Sequence, residues 1–168
     1  MYNPKPLKSG KQFVQILGNI ITEFENGPYD VMVQGNNCFH TQKSGLAPQI
    51  VRRWPEVLEE DYKSVYADPK KLGSYYVVGV AVGKQVMGIY TQFDYGRDKK
   101  DRFCYDEVRE GLKRINNEFA GKRFIFPKIG AGLCGGDWGR IKEMILEELK
   151  DIHVTFCYFP DTVMAIPG

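Results

Sequence analysis

Hydrophobic and polar positions divide the chain into short segments of two periodicities. Apolar residues alternate with polar ones across residues 12–17, which predicts a first strand, and Gly18-Asn19 with Ile20-Ile21-Thr22 predicts a turn after it. Asn26-Gly27-Pro28 punctuates the chain before residues 29–34, where Val31-Met32-Val33 reads as a buried strand. A polar loop over residues 35–45 follows. Leu46, Ile50, Val51 and Trp54 then fall on one helical face, with Pro48 tolerated in the first turn and Pro55 ending the run. A second helical pattern over residues 56–66 carries Val57, Leu58, Tyr62 and Val65, and its acidic side reads as solvated. Residues 74–81 and 85–91, joined by Val82-Gly83-Lys84, have the pattern of a β-hairpin. Val108, Leu112, Ile115 and Phe119 mark an amphipathic helix over residues 105–119. Residues 123–126 form an apolar strand, Ile141, Met144, Ile145 and Leu149 another helical face, and residues 153–159 a last strand. Strands alternating with helices predict an α/β fold, a mixed sheet between helix layers, with ligand loops at the C-terminal ends of the strands.

Composition narrows the function. A chain of 168 residues with 43% hydrophobic and 26% charged residues fits one globular domain, residues 1–168, able to bury a full core. A net charge of +2 gives no strong nucleic-acid signal, so the expected partner is a small molecule bound by a monomer. The first residues, Met1-Tyr2-Asn3-Pro4-Lys5-Pro6, lack the apolar stretch of a secretion signal, and no apolar run reaches membrane-spanning length. The expected location is the cytoplasm, away from membranes. Cys38, Cys104, Cys134 and Cys157 are scattered without a C-x-x-C, and His40 and His153 are the two histidines, so neither a disulfide framework nor a metal site is expected. No cofactor is expected either.

The chemistry concentrates after residues 123–126. Pro127-Lys128-Ile129-Gly130-Ala131-Gly132-Leu133-Cys134-Gly135-Gly136-Asp137-Trp138 lies between a strand and a helix and holds four glycines within seven residues. Such a loop lets backbone N–H groups approach a ligand, and the helix after it favours negative charge. It reads as a pyrophosphate cradle or as a tight strand-to-helix turn. Gly130, Gly132 and Gly135 also fit G-x-G-x-x-G, but the loop sits near the C-terminal end with room for one more helix and strand, which argues against a dinucleotide fold.

Three stretches in order carry a family resemblance: Leu17-Gly18-Asn19-Ile20-Ile21, then residues 34–47 with the helix ending Arg53-Trp54-Pro55, then residues 127–138. They resemble the ligand loops of macro domains, and the likeness is greatest to the compact branch that includes yeast-type ADP-ribose-1″-phosphate phosphatases and many phage and bacterial proteins. The resemblance implies a three-layer α/β/α domain with a mixed sheet of about six strands and an ADP-ribose cleft above it.

The resemblance assigns Gly18, Asn19 and Ile20 to the adenine end. Asn19 stands where many members place an aspartate that accepts from the adenine amino group; a turn asparagine is the other reading. Asn36, Asn37 and Cys38 belong to the ribose loop. Ser44, Gly45, Leu46 and Ala47 match the start of the helix that helps hold the diphosphate. Ile129, Gly130, Ala131, Gly132, Leu133, Cys134 and Gly135 wrap its other side. Tyr158, or Phe159 beside it, is placed to stack on adenine, and Gln92 and Tyr95 border the distal ribose. Lys43 replaces a customary glycine and brings a charge close to the phosphate.

Catalytic candidates are Asn37, His40 as an acid or base, and Asp137, which as the residue before a helix also reads as an N-cap. Members that strip ADP-ribose from macromolecules use a lysine where this chain has Gln92 and often an acid where it has Cys134. The expected function is therefore ADP-ribose binding with hydrolysis of ADP-ribose 1″-phosphate. The alternatives are a non-catalytic reader and a hydrolase acting on an ADP-ribosylated macromolecule.

Overall fold

The computed structural model describes residues 11–160 except Ser44, Arg97, Lys99 and Leu133. A six-stranded sheet runs in the order β1-β6-β5-β2-β4-β3. Its strands are β1 (Val14–Leu17), β2 (Val31–Asn36), β3 (Tyr75–Ala81), β4 (Lys84–Tyr90), β5 (Arg123–Phe126) and β6 (His153–Tyr158). Every pairing is parallel except β3 with β4, the antiparallel hairpin read from residues 74–91.

The period-2 pattern sorts side chains between two helix layers. Met32, Val86, Ile125 and Cys157 face α1 (Ile20–Asn26), α2 (Ala47–Arg53) and α3 (Glu56–Tyr62), where Phe24, Ile50, Trp54 and Val57 pack on them. Val31, Val33, Met87, Ile89, Phe124, Phe126 and Phe156 face the opposite layer, α4 (Tyr105–Glu118) and α5 (Trp138–Glu148), against Val108, Leu112, Ile115, Ile141 and Ile145. This is the three-layer α/β/α arrangement expected. Among the described residues, no helix is long and apolar enough to cross a membrane.

Two local readings change. Residues 20–26 form α1 rather than part of a turn, because Asn19 caps it by accepting from the N–H groups of Ile21 (3.1 Å) and Thr22 (3.3 Å) while Ile20 and Phe24 bury one face. The helix predicted to residue 66 ends at Tyr62, and its acidic side is not all solvated: Asp61 is fully buried.

Strand β2 positions the site. The chain leaves it through α2, α3 and the edge strand β3 to reach β4, and from β4 it returns through α4 to β5 on the other side of β2. Loops after β2, β4 and β5 therefore diverge from neighbouring points, and a crevice opens above their carboxyl ends.

Candidate functional site

That crevice has a volume of about 530 Å³. Its floor is the end of β2 and the residue after β4, namely Gln34, Gly35, Asn36 and Thr91. One wall is Asn37, Thr41, Lys43, Gly45, Leu46 and Ala47; the other is Pro127, Lys128, Ile129, Gly130, Gly132 and Cys134; Gln92, Tyr95 and Gly96 close one end.

The first wall is held by Asn37. Its Nδ2 donates to Thr41 O (3.0 Å) and its Oδ1 accepts from the Phe39 N–H (2.9 Å), so one amide folds the loop back on itself. Behind it Cys38 is fully buried, with its N–H on Phe93 O (2.9 Å), and burial pushes its thiol up to about 11. Gly45 at φ 64° supplies the left-handed turn into α2.

The second wall is closed by the N–H of Gly136 on Gly130 O (2.8 Å) and that of Gly135 on Gly132 O (3.0 Å). The N–H groups of Gly130, Ala131 and Gly132 have no hydrogen-bond partner among the described residues, and neither do those of Gly45 and Leu46 opposite. Two facing stretches of backbone donors are thus available to an anion. Lys43 and Lys128 are exposed at the same cleft and form no ion pair among the described residues. No aspartate, glutamate or histidine lines the cleft among the described residues, so the charged side chains of that lining are the two lysines.

Of the residues singled out from sequence, the structure brings Asn36, Asn37, Gly45, Leu46, Ala47, Gln92, Tyr95, Ile129, Gly130, Gly132 and Cys134 to this cleft. Ser44 and Leu133 lie outside the described residues. The Gly135 N–H closes its own loop, and Ala131 packs partly against the core, leaving its N–H as its contribution.

Several candidates are turned elsewhere. His40, at φ 55°, places Nε2 3.0 Å from both Ser64 O and Ser64 Oγ and packs its ring against Tyr62 and Tyr66, away from the cleft. Asp137 caps α5, accepting from the Arg140 N–H (3.3 Å), so it serves the helix rather than the cleft. Gly18, Asn19 and Ile20 lie at the β1 end of the sheet and do not line the cleft; the Asn19 carbonyl meant for adenine is occupied in capping α1. Tyr158 is buried, donating to Gln15 Oε1 (2.7 Å) and accepting from Trp138 Nε1 (3.2 Å), which leaves the half-exposed Phe159 as the aromatic at that end. Cys134 reaches the cleft, but burial pushes its thiol up to about 12, so it carries no thiolate at neutral pH.

Within the first ligand-loop stretch the sequence did not single out Gln34, Gly35 and Thr41, and Thr91 and Gly96 were missed. The signal for Gln34 and Thr91 was a polar residue ending an apolar strand, Val31-Met32-Val33-Gln34 and Ile89-Tyr90-Thr91.

No protein-family model matches the chain. Among solved structures, a Bacteroides thetaiotaomicron protein is 25% identical with a TM-score of 0.74, covering 88% of this chain and 98% of that one. The macrodomain of Thermus aquaticus DarG is 21% identical with a TM-score of 0.63, again over 88% of this chain and 98% of that one. A Trypanosoma brucei macrodomain solved in complex with ADP-ribose is 15% identical with a TM-score of 0.61, covering 85% of this chain and 62% of its own. The fold is that of the macrodomains. An uncharacterized 17.5 kDa protein from the tk-vs intergenic region of Enterobacteria phage T4 is 32% identical over 139 residues, 77% of this chain and 85% of that protein, and this chain belongs to the same family.

Proposed function

We propose that the cleft binds ADP-ribose and its derivatives, and that the protein hydrolyses the phosphate monoester of ADP-ribose 1″-phosphate. The observation that carries this is the cleft's composition: facing backbone donors at Gly45-Leu46 and Gly130–Gly132, two lysines without ion partners, and no carboxylate in its lining among the described residues. A diphosphate between two sugars suits such a slot, and the Trypanosoma neighbour of the same fold was solved with ADP-ribose. In this reading the diphosphate lies between the two loops. The adenosine extends toward Phe159, and the terminal ribose toward Thr91, Gln92 and Tyr95.

The lining also supports this reading of the reaction. Members that strip ADP-ribose from macromolecules use a lysine where this chain has Gln92 and often an acid where it has Cys134, and no carboxylate lines the cleft among the described residues. Phosphoryl transfer asks mainly for positioning and for stabilisation of charge on the phosphoryl oxygens, which backbone N–H groups and lysines supply. Lys43 and Lys128 would draw the additional phosphate of the substrate, and Asn37, held rigid by Phe39 and Thr41, would orient the attacking water. The absence of a carboxylate or histidine from the lining, among the described residues, is also consistent with a second reading, a non-catalytic binder of ADP-ribose.

Phosphate release from ADP-ribose 1″-phosphate separates the two. The wild-type protein is expected to release phosphate, Asn37→Ala to lose roughly ten- to a hundred-fold in rate as expected for removing one polar catalytic contact, and His40→Ala to retain it. No release by a protein that binds ADP-ribose would remove the phosphatase reading.

A further inference from the structure

Beneath the cleft floor lies a buried polar chain that the mechanism above does not use. At its root is Asp61 of α3, 0% exposed, whose Oδ1 accepts from the Tyr90 hydroxyl (2.7 Å) and whose Oδ2 accepts from Gln42 Nε2 (2.9 Å). A carboxylate offers only acceptors, so Gln42 must turn its amino group toward it. The Gln42 carbonyl then faces the other way, 3.1 Å from Gln34 Nε2, and Gln34 must in turn present its amino group to that carbonyl. What remains at the end is Gln34 Oε1, buried and without a hydrogen-bond partner among the described residues.

Across β2, on the face toward which a Gly35 Cβ would point, is a second unmatched group. Thr91 Oγ1 is fully buried and has no partner among the described residues. It sits so close to the strand that a Cβ on Gly35 would lie 3.0 Å from it. Gln34, Gly35 and Thr91 all line the cleft. The neighbouring Asn36 is oriented by the same network: the Tyr76 hydroxyl, which receives Gln34 Nε2 at 3.3 Å, donates to Asn36 Oδ1 at 3.1 Å. Burial and the charge of Asp61 push the Tyr76 phenol up, so it stays a donor. The Asn36 amino group is thereby left for the cleft. Buried polar groups are nearly always matched, and an unmatched acceptor on a residue that lines a cleft points to a ligand group that completes it.

We infer that Asp61 sets the hydrogen-bond polarity of the cleft floor through Gln42, fixing the Gln34 carbonyl as an acceptor for a hydroxyl of the ligand's terminal sugar. The inference rests on the ADP-ribose reading and deepens it. Phosphate oxygens at neutral pH are acceptors, so they belong with the loop N–H groups and lysines and are repelled by the Gln34 carbonyl. A sugar O–H is the complementary group. Asp61 acts at a distance here and is a positioning residue; Gln34 is the residue that touches the sugar.

The test compares ADP-ribose with ADP, which lacks the terminal ribose, by calorimetry. Wild-type protein is expected to bind ADP-ribose at least about ten-fold more tightly than ADP, as one well-made buried hydrogen bond with its packing allows. Asp61→Asn keeps the shape but inverts the chain: Tyr90 holds the Asn carbonyl, the new amino group faces Gln42, Gln42 flips, and Gln34 presents N–H groups to the cleft. That variant, and independently Gln34→Met, should lose most of the ADP-ribose advantage while ADP affinity changes by less than about three-fold, since the phosphate contacts are untouched. A merely structural role would weaken both ligands alike. If Asp61→Asn does not unfold cooperatively, Gln34→Met decides alone. A folded Gln34→Met that keeps the full advantage overturns the inference while leaving ADP-ribose binding intact. A wild-type protein that binds neither ligand overturns the parent reading and this inference with it.

Discussion

Gly130→Val is expected to weaken ADP-ribose binding at least about 100-fold, a loss of roughly 2.7 kcal/mol, while leaving a cooperative unfolding transition. The residue stands at φ 72°, where a β-branched side chain is strained. A Cβ there would lie 2.3 Å from Phe103 Cδ2 and 2.6 Å from Cε2. Phe103 is itself buried against Tyr105 and cannot withdraw. The backbone must therefore move, and with it go the Gly136 N–H bond to Gly130 O and the three donors of Gly130, Ala131 and Gly132. Strain and clash together cost about 3 kcal/mol, a sum a domain of this size can survive. Calorimetry with ADP-ribose and a thermal melt check both halves; binding within three-fold of wild type would show that the loop does not hold the ligand.

The largest effect on stability is expected at Phe156. Phe156→Ala should cost about 3 to 5 kcal/mol, the range for deleting a buried aromatic ring, and lower the melting temperature by roughly 10 °C. The side chain is fully buried in β6, with ring centroids 5.9 Å from Phe126, 6.1 Å from Phe13 and 5.3 Å from Trp138. It joins Phe13, just before β1, to Trp138, the first residue of α5, directly after the glycine loop. Loosening it therefore reaches the site, and saturating ADP-ribose should recover part of the lost stability, because the ligand binds only the folded state. A loss below about 1 kcal/mol in chemical denaturation would mean that this face repacks.

Much of the framework was legible because its periodicities are clean. Val108, Leu112, Ile115 and Phe119 could belong only to a helix face, and the hairpin over residues 74–91 follows from two β-rich runs around Gly83. The seven residues of α1 were not legible: Ile20-Ile21-Thr22 is β-branched, the helix spans barely two turns, and its cap, Asn19, has the composition of a turn. At the site, the glycine-rich walls announced themselves, since glycine spacing and left-handed turns leave a mark in the letters. The floor did not. Whether Gln34 is a buried acceptor or a solvated amide depends on Asp61, Gln42 and Tyr76, brought together from three separate elements, and no local pattern encodes that meeting. His40 misled for the matching reason: it sits in the right loop, but its positive φ and Ser64 turn the ring outward.

The central claim is that two backbone loops grip the diphosphate of an ADP-ribosyl ligand. A crystal structure of the protein with ADP-ribose tests it most directly. The diphosphate is expected between Gly45-Leu46 and Gly130–Gly132, within hydrogen-bond distance of their N–H groups, with a hydroxyl of the terminal ribose on the Gln34 carbonyl. Ligand seated elsewhere on the protein, or a diphosphate held only by side chains with those N–H groups unused, would contradict it.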